Sequence, residues 1–137
     1  MIKMAAVLGL WIVSLCANAQ ELTLHIAKNR IGFVQAYLEN SSERAVTVVT
    51  GNLVYEGRGD RVEIFPKPEY WQRGDEKILL KSSAPHYAPV TLQPGETTYL
   101  LEPNIRVVTK VVQYRVPEEW AALHGTWSGA VEAVVHK

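Results

Sequence analysis

The chain reads as an all-β protein built as an antiparallel two-sheet sandwich of about seven to nine strands with one short crossover helix. Three observations carry that expectation. Alternating or β-branched runs recur along the whole chain with Gly, Pro, Asn and Ser turn chemistry between them, as antiparallel sheets require. A single stretch carries helix signals, and it is only about two turns long. What remains after an N-terminal leader is near the commonest size for one domain and long enough to bury a core without disulfides.

The leader comes first. Lys3 supplies a positive start, Met4 to Val13 is uninterruptedly apolar, and Ala17-Asn18-Ala19 matches a small-residue cleavage site. Residues 1–19 are therefore expected to be a cleavable signal peptide, with residues 20–137 as one domain. The apolar run is too short for the roughly 20 residues of a membrane-spanning helix, so no stable insertion is expected after cleavage. Cys16 is the only cysteine, and the residue before it is Leu15 where a lipoprotein signal wants a small side chain. An ordinary signal is the better reading. The domain then has no cysteine, hence no disulfide and no thiolate chemistry, which suits a bacterial periplasmic or extracellular setting.

The elements follow in order. Glu21 to Ala27 alternates, with Leu22, Leu24 and Ile26 on one face and Thr23 and His25 on the other. Phe33 to Glu39 follows, with Val34, Ala36 and Leu38 inward. Asn40 to Arg44 is a polar turn, and Ala45 to Thr50 is a Val- and Thr-rich strand. Gly51-Asn52 breaks it before Leu53 to Tyr55; Gly57 to Asp60 turns the chain into Arg61 to Phe65. Pro66 to Asp75, with two prolines, reads as a loop or irregular edge. Ile78 to Lys81 is a short strand, and Ser82 to Pro89 a connection.

Val90 to Leu92 and Thr97 to Leu101 flank Gln93-Pro94-Gly95-Glu96, where proline presets the first central position and glycine the second, as in a type II turn. Ile105 to Val116 is a long β-branched strand. Pro117 to Gly125 is the helix, with proline at its start, Glu118 and Glu119 in its first turn and Gly125 where a C-terminal cap belongs. Thr126 to His136 closes the chain as a strand with Trp127, Val131, Ala133 and Val135 on one face.

The Asn-Ser-Ser turn at Asn40, the Leu92-Gln93-Pro94-Gly95-Glu96 turn and the final strand entered through Gly125-Thr126-Trp127-Ser128-Gly129 resemble small bacterial immunoglobulin-like domains, among them the BsuPI-type proteinase-inhibitor domains. The resemblance covers about a third of the chain. It implies an immunoglobulin-like sandwich and, by analogy of fold alone, protease inhibition; it assigns no residue a role.

Lys plus Arg and Asp plus Glu are each 14, and removing Lys3 leaves the domain close to neutral. With charges scattered singly, a nucleic-acid partner is not expected. His25, His86, His124 and His136 show no metal-ligand spacing, so no metal or cofactor is expected. Aspartate, the usual acid of a hydrolase triad, is scarce: only Asp60 and Asp75 are present, both in glycine turns, and Ser128 precedes a strand where a nucleophile elbow precedes a helix. A small envelope hydrolase is the weakest of the three functional readings.

Recognition chemistry is better represented. Tyr70 and Trp71 lie in the proline-flanked loop, and His86 and Tyr87 in the next; aromatics in loops anchor protein partners or stack on sugars. Trp120 and Trp127 are expected inside the sandwich. Arg58-Gly59-Asp60 and Arg73-Gly74-Asp75 are two copies of a tripeptide that resembles an adhesion motif, though its residues are ordinary turn formers. Asn40-Ser41-Ser42 is a glycosylation sequon that a bacterium would leave idle. The expected function is binding of a protein partner without catalysis, through Tyr70, Trp71, Arg73, Asp75, His86 and Tyr87. A cell-wall or extracellular glycan is the alternative ligand.

Overall fold

The structure is a computed structural model that describes residues 21–28, 34–100 and 109–135. The leader with Cys16, the Ile105 to Val108 part of the expected long strand, Phe33 and His136 lie outside the described residues. No helix among the described residues is long and apolar enough to cross a membrane.

Strands dominate, as the alternation requires. In order they are β1 (Leu22–Lys28), β2 (Val34–Asn40), β3 (Val46–Val49), β4 (Leu53–Arg58), β5 (Arg61–Pro66), β6 (Tyr70–Arg73), β7 (Glu76–Leu79), β8 (Pro89–Leu92), β9 (Thr97–Tyr99), β10 (Val111–Val116) and β11 (Gly129–Val134). Two helices interrupt them, α1 (Ala84–Tyr87) and α2 (Glu118–His124). The described residues thus hold more strands than the seven to nine expected, and one helical turn more.

The strands form a three-stranded sheet β1-β2-β9, a four-stranded sheet β11-β10-β5-β4, and two ribbons, β3-β8 and β6-β7. Pairing is antiparallel with one exception: β5 and β10 run parallel, with Val62 opposite Val112 and Ile64 opposite Tyr114. Both sheets contribute to one core. Leu22, Leu24, Ala36 and Leu38 come from the three-stranded sheet, Val62, Ile64, Val112, Tyr114 and Val116 from the four-stranded one, and Val46, Val48 and Leu92 from the β3-β8 ribbon. β10 lies in the interior of its sheet, between β5 and β11, and buries every second side chain in the core.

Each local signal has a structural counterpart. Glu96 N–H donates to the Gln93 carbonyl at 2.9 Å, and Gly95 takes φ 83°, completing the type II turn. That turn does not close a hairpin, because β8 pairs with β3 while β9 pairs with β2. An unprimed turn splays its flanking strands, so the two separate into different sheets. Pro117 precedes α2, Glu118 and Glu119 occupy its first turn and Gly125 caps it. The helix is not a crossover, however: it joins β10 to its own antiparallel neighbour β11, with Val116 opposite Gly129. Trp120, Ala121 and His124 on its inner face close one end of the core.

Candidate functional site

Within Pro66 to Asp75, expected as a loop or irregular edge, Tyr70 to Arg73 is a regular strand. From Tyr70 the chain is extended, and β6 pairs with β7 in the register Tyr70–Leu79, Trp71–Ile78, Gln72–Lys77 and Arg73–Glu76. The two prolines stop short of it, at the positions before a ladder N–H is needed. Gly74 and Asp75 make the two-residue connection. Gly74 takes φ 61° at the first central position while Asp75 has no positive φ, the pattern of a type II′ hairpin turn.

Most of this ribbon faces solvent, and only Leu79 at its base packs against the core. On one face, Trp71 and Ile78 are 47% and 45% exposed. On the other, Tyr70 is 48% exposed, and the Lys77 ammonium sits 4.3 Å from its ring centre. Leu80 beyond β7 is exposed as well. Of the large apolar side chains that face solvent, Tyr70, Trp71, Ile78 and Leu80 cluster here, whereas Tyr99, Leu123 and Val134 lie on three separate elements. Such clustering, rather than exposure of any one residue, marks an interaction surface.

The hydrogen-bond phase of the ribbon is fixed by its base, where Leu80 N–H donates to the Glu69 carbonyl at 2.7 Å. In antiparallel pairing, bonded and non-bonded pairs alternate. Glu69, Trp71 and Arg73 therefore direct their backbone groups at β7, and Tyr70 and Gln72 direct theirs away from it.

Of the residues expected to bind, Tyr70, Trp71, Arg73 and Asp75 come together on this hairpin. Arg73 and Asp75 at its tip make no ion pair among the described residues. In the other Arg-Gly-Asp tip, between β4 and β5, Arg58 donates from Nε and Nη2 to Glu56 at 3.0 and 2.8 Å. That hydrogen bond and the Glu56 charge hold the guanidinium pKa above its ordinary value. His86, on α1, lies at the hairpin base with Nε2 3.4 Å from Glu69 Oε1, both groups substantially exposed.

Tyr87 is a correction. It is buried, with its ring edge-on to Trp120 and His124 at 5.5 and 5.0 Å, because the helical turn that exposes His86 rotates the next side chain into the core. His124 is equally committed. Its ring stacks on Trp120 at 3.7 Å, Nε2 accepts from Ser82 N–H at 2.9 Å, and Nδ1 therefore carries the proton donated to the Trp120 carbonyl at 2.8 Å. Trp127 is partly buried, stacked on Tyr114.

Two features escaped the sequence. His25 Nε2 and Glu39 Oε1 are 2.7 Å apart on the outer face of the three-stranded sheet, with the His25 ring stacked on Tyr37. The β1-β2 register puts them there, and outward alternation of both strands was the only available signal. Ile78 is the second: its place opposite Trp71 depends on the hairpin pairing. Among the described residues no group of three or more His, Cys, Asp or Glu is placed to hold a metal. Comparison with protein-family models, with curated proteins and with solved structures finds no match.

Proposed function

We propose that this chain is an exported, non-enzymatic binding domain whose β6-β7 hairpin docks a protein partner. The single observation that supports the reading is the gathering of Tyr70, Trp71, Ile78 and Leu80 on one exposed two-stranded ribbon. An isolated ribbon of this kind is marginal in water, and a partner that covers its apolar face or extends its ladder stabilises it. Trp and Tyr supply most contact energy in such surfaces. The immunoglobulin-like resemblance agrees with recognition carried at the edges of a sandwich, and a hairpin offered to a protease is one form this takes. Both ring nitrogens of the buried His124 are bonded to backbone groups of Ser82 and Trp120, which supports a structural role for that histidine.

Capture from an envelope extract tests the reading, with immobilised chain from Gln20 onward as bait and Trp71→Ala and Ile78→Ala as separate controls. A protein retained by the native bait and lost with both variants supports it. Equal retention by all three baits overturns it. Loss of wall-polysaccharide retention with Trp71→Ala alone would replace it with glycan binding, since a sugar stacks on the indole and has no need of the aliphatic side chain opposite.

A further inference from the structure

The outer edge of β6 is complementary to itself. Tyr70 and Gln72 direct their backbone N–H and C=O away from β7, and among the described residues nothing accepts or satisfies them. A second β6 laid antiparallel against the first can use all of these groups in only one register, with Tyr70 of each chain opposite Gln72 of the other. Two-fold symmetry then follows, and each Tyr70–Gln72 pair exchanges both of its hydrogen bonds.

That register fixes the side chains. Trp71 falls on the symmetry axis opposite its own copy, in a non-bonded pair where side chains approach most closely. One step outward on the same face, Arg73 of each chain stands opposite Glu69 of the other. The hairpin thus brings a tryptophan pair at the centre, opposite charges on both sides of it, and a saturated ladder. The neighbouring registers put Pro68 or the Gly74 turn where a bonded partner is needed.

We infer that a second copy of this chain is an occupant of the hairpin, through β6-to-β6 pairing that makes a four-stranded sheet from two ribbons. The inference rests on β6-β7 being the docking element and names the partner it receives. The shared strand is four residues long, so the contact is small and the dimer weak and reversible. Exposure of Trp71 in the single chain fits such an equilibrium, because the pairing sets it against its own copy.

Sedimentation of the chain from Gln20 onward, from low micromolar to millimolar concentration, tests it. The native chain is expected to dimerise. Arg73→Glu sets like charges against Glu69 at two symmetric places and weakens the dimer about tenfold, and adding Glu69→Arg to it restores the affinity. Glu69→Arg alone weakens it similarly and controls for the loss of the exposed His86 contact. Gln72→Pro removes one outward N–H from each strand while leaving every β6-β7 bond in place, so it abolishes dimerisation with the unfolding midpoint unchanged.

A native chain that stays monomeric throughout, or a dimer indifferent to Arg73→Glu and Gln72→Pro, overturns the inference. Neither result touches the protein-partner reading. The Gln72→Pro chain keeps Trp71 and Ile78 and can be carried into the capture experiment as a monomer.

Discussion

The side-chain amide of Asn40 donates to the carbonyl of Leu92 at 2.8 Å, which binds the end of β2 to the end of β8 in a different sheet. The same nitrogen donates to the Arg44 carbonyl, and Oδ1 accepts from the Ser42 N–H and hydroxyl. The Asn40 backbone N–H reaches the Glu96 carbonyl, and its carbonyl accepts from Gly95. Asn40 is 0% exposed, so these groups have no water to fall back on. Asn40→Asp keeps the shape but turns a carboxylate oxygen toward the two carbonyls. It is expected to cost at least ~3 kcal/mol in urea unfolding, more than Ser42→Ala at the partly exposed side of the same cluster. Buried in this way, the Asn40 side chain is also closed to glycosylation in the folded protein.

Tyr114 carries the pH dependence. Its hydroxyl donates to the Val49 carbonyl at 2.8 Å inside the core, and burial pushes the phenol pKa up. An acid whose folded pKa exceeds the unfolded value contributes stability that is complete below about pH 10 and is lost as pH rises through the folded value. Above that point the unfolded chain releases a proton that the folded chain holds. Denaturant midpoints measured from pH 8 to 12 should fall with a contribution approaching ~1.4 kcal/mol per pH unit from this group. Tyr114→Phe should remove that contribution and cost about 1–3 kcal/mol at neutral pH, through the Val49 carbonyl left unpaired.

His124 ties α2 to the segment that follows the hairpin. Replacing it with Ala removes the ring stacked on Trp120 and leaves the Ser82 N–H without its acceptor. A loss of about 2–4 kcal/mol is expected, with a change in Trp120 fluorescence and faster hydrogen exchange at the Ser82 amide. Retained protection of that amide would mean the acceptor had been replaced and the anchor was not His124.

Gly129 opens β11 at φ 141°, a conformation that side-chain-bearing residues rarely adopt, and a Cβ there would lie 2.8 Å from the Trp127 ring. Gly129→Ala must displace the indole from Tyr114, which it stacks on at 5.9 Å. Thermal unfolding should register about 1–3 kcal/mol of destabilisation. Gly57→Ala, where nothing lies within reach of the new methyl, is the matched control.

These cases show which parts of the fold local sequence could express. Leu22 and Leu24 alternate because one side of β1 is wet, and Pro94-Gly95 and Pro117 to Gly125 announce a turn and a helix through backbone chemistry that acts within a few residues. The parallel pairing of β5 with β10 has no such signature, since nothing near Val62 encodes that its neighbour is Val112. Asn40 reads as a surface turn residue for the same reason: Leu92 and Glu96 lie far along the chain. The hairpin was missed by a different route. With both faces of β6 exposed, Tyr70, Trp71, Gln72 and Arg73 show no polar-apolar alternation, and two nearby prolines argued against a strand. Its residues were still picked out, because exposed aromatics beside a glycine turn signal recognition whatever the backbone does. Tyr87 carried the same signal, and only the rotation of α1 separates it from His86.

Exposure of the hairpin makes folding and binding separable there. Trp71 and Ile78 are each about half exposed, their backbone bonds to one another survive truncation, and neither belongs to the core cluster. Trp71→Ala and Ile78→Ala should each shift the unfolding free energy by no more than about 0.5 kcal/mol, in contrast to the ~2–5 kcal/mol expected of Leu38→Ala at a fully buried site. Urea unfolding of the three variants under conditions where the chain is monomeric checks this. If Trp71→Ala instead unfolds the protein as readily as Leu38→Ala, the indole is structural, and its loss from a binding experiment would say nothing about contact. With stability intact, any association that disappears on removing Trp71 was made through its ring.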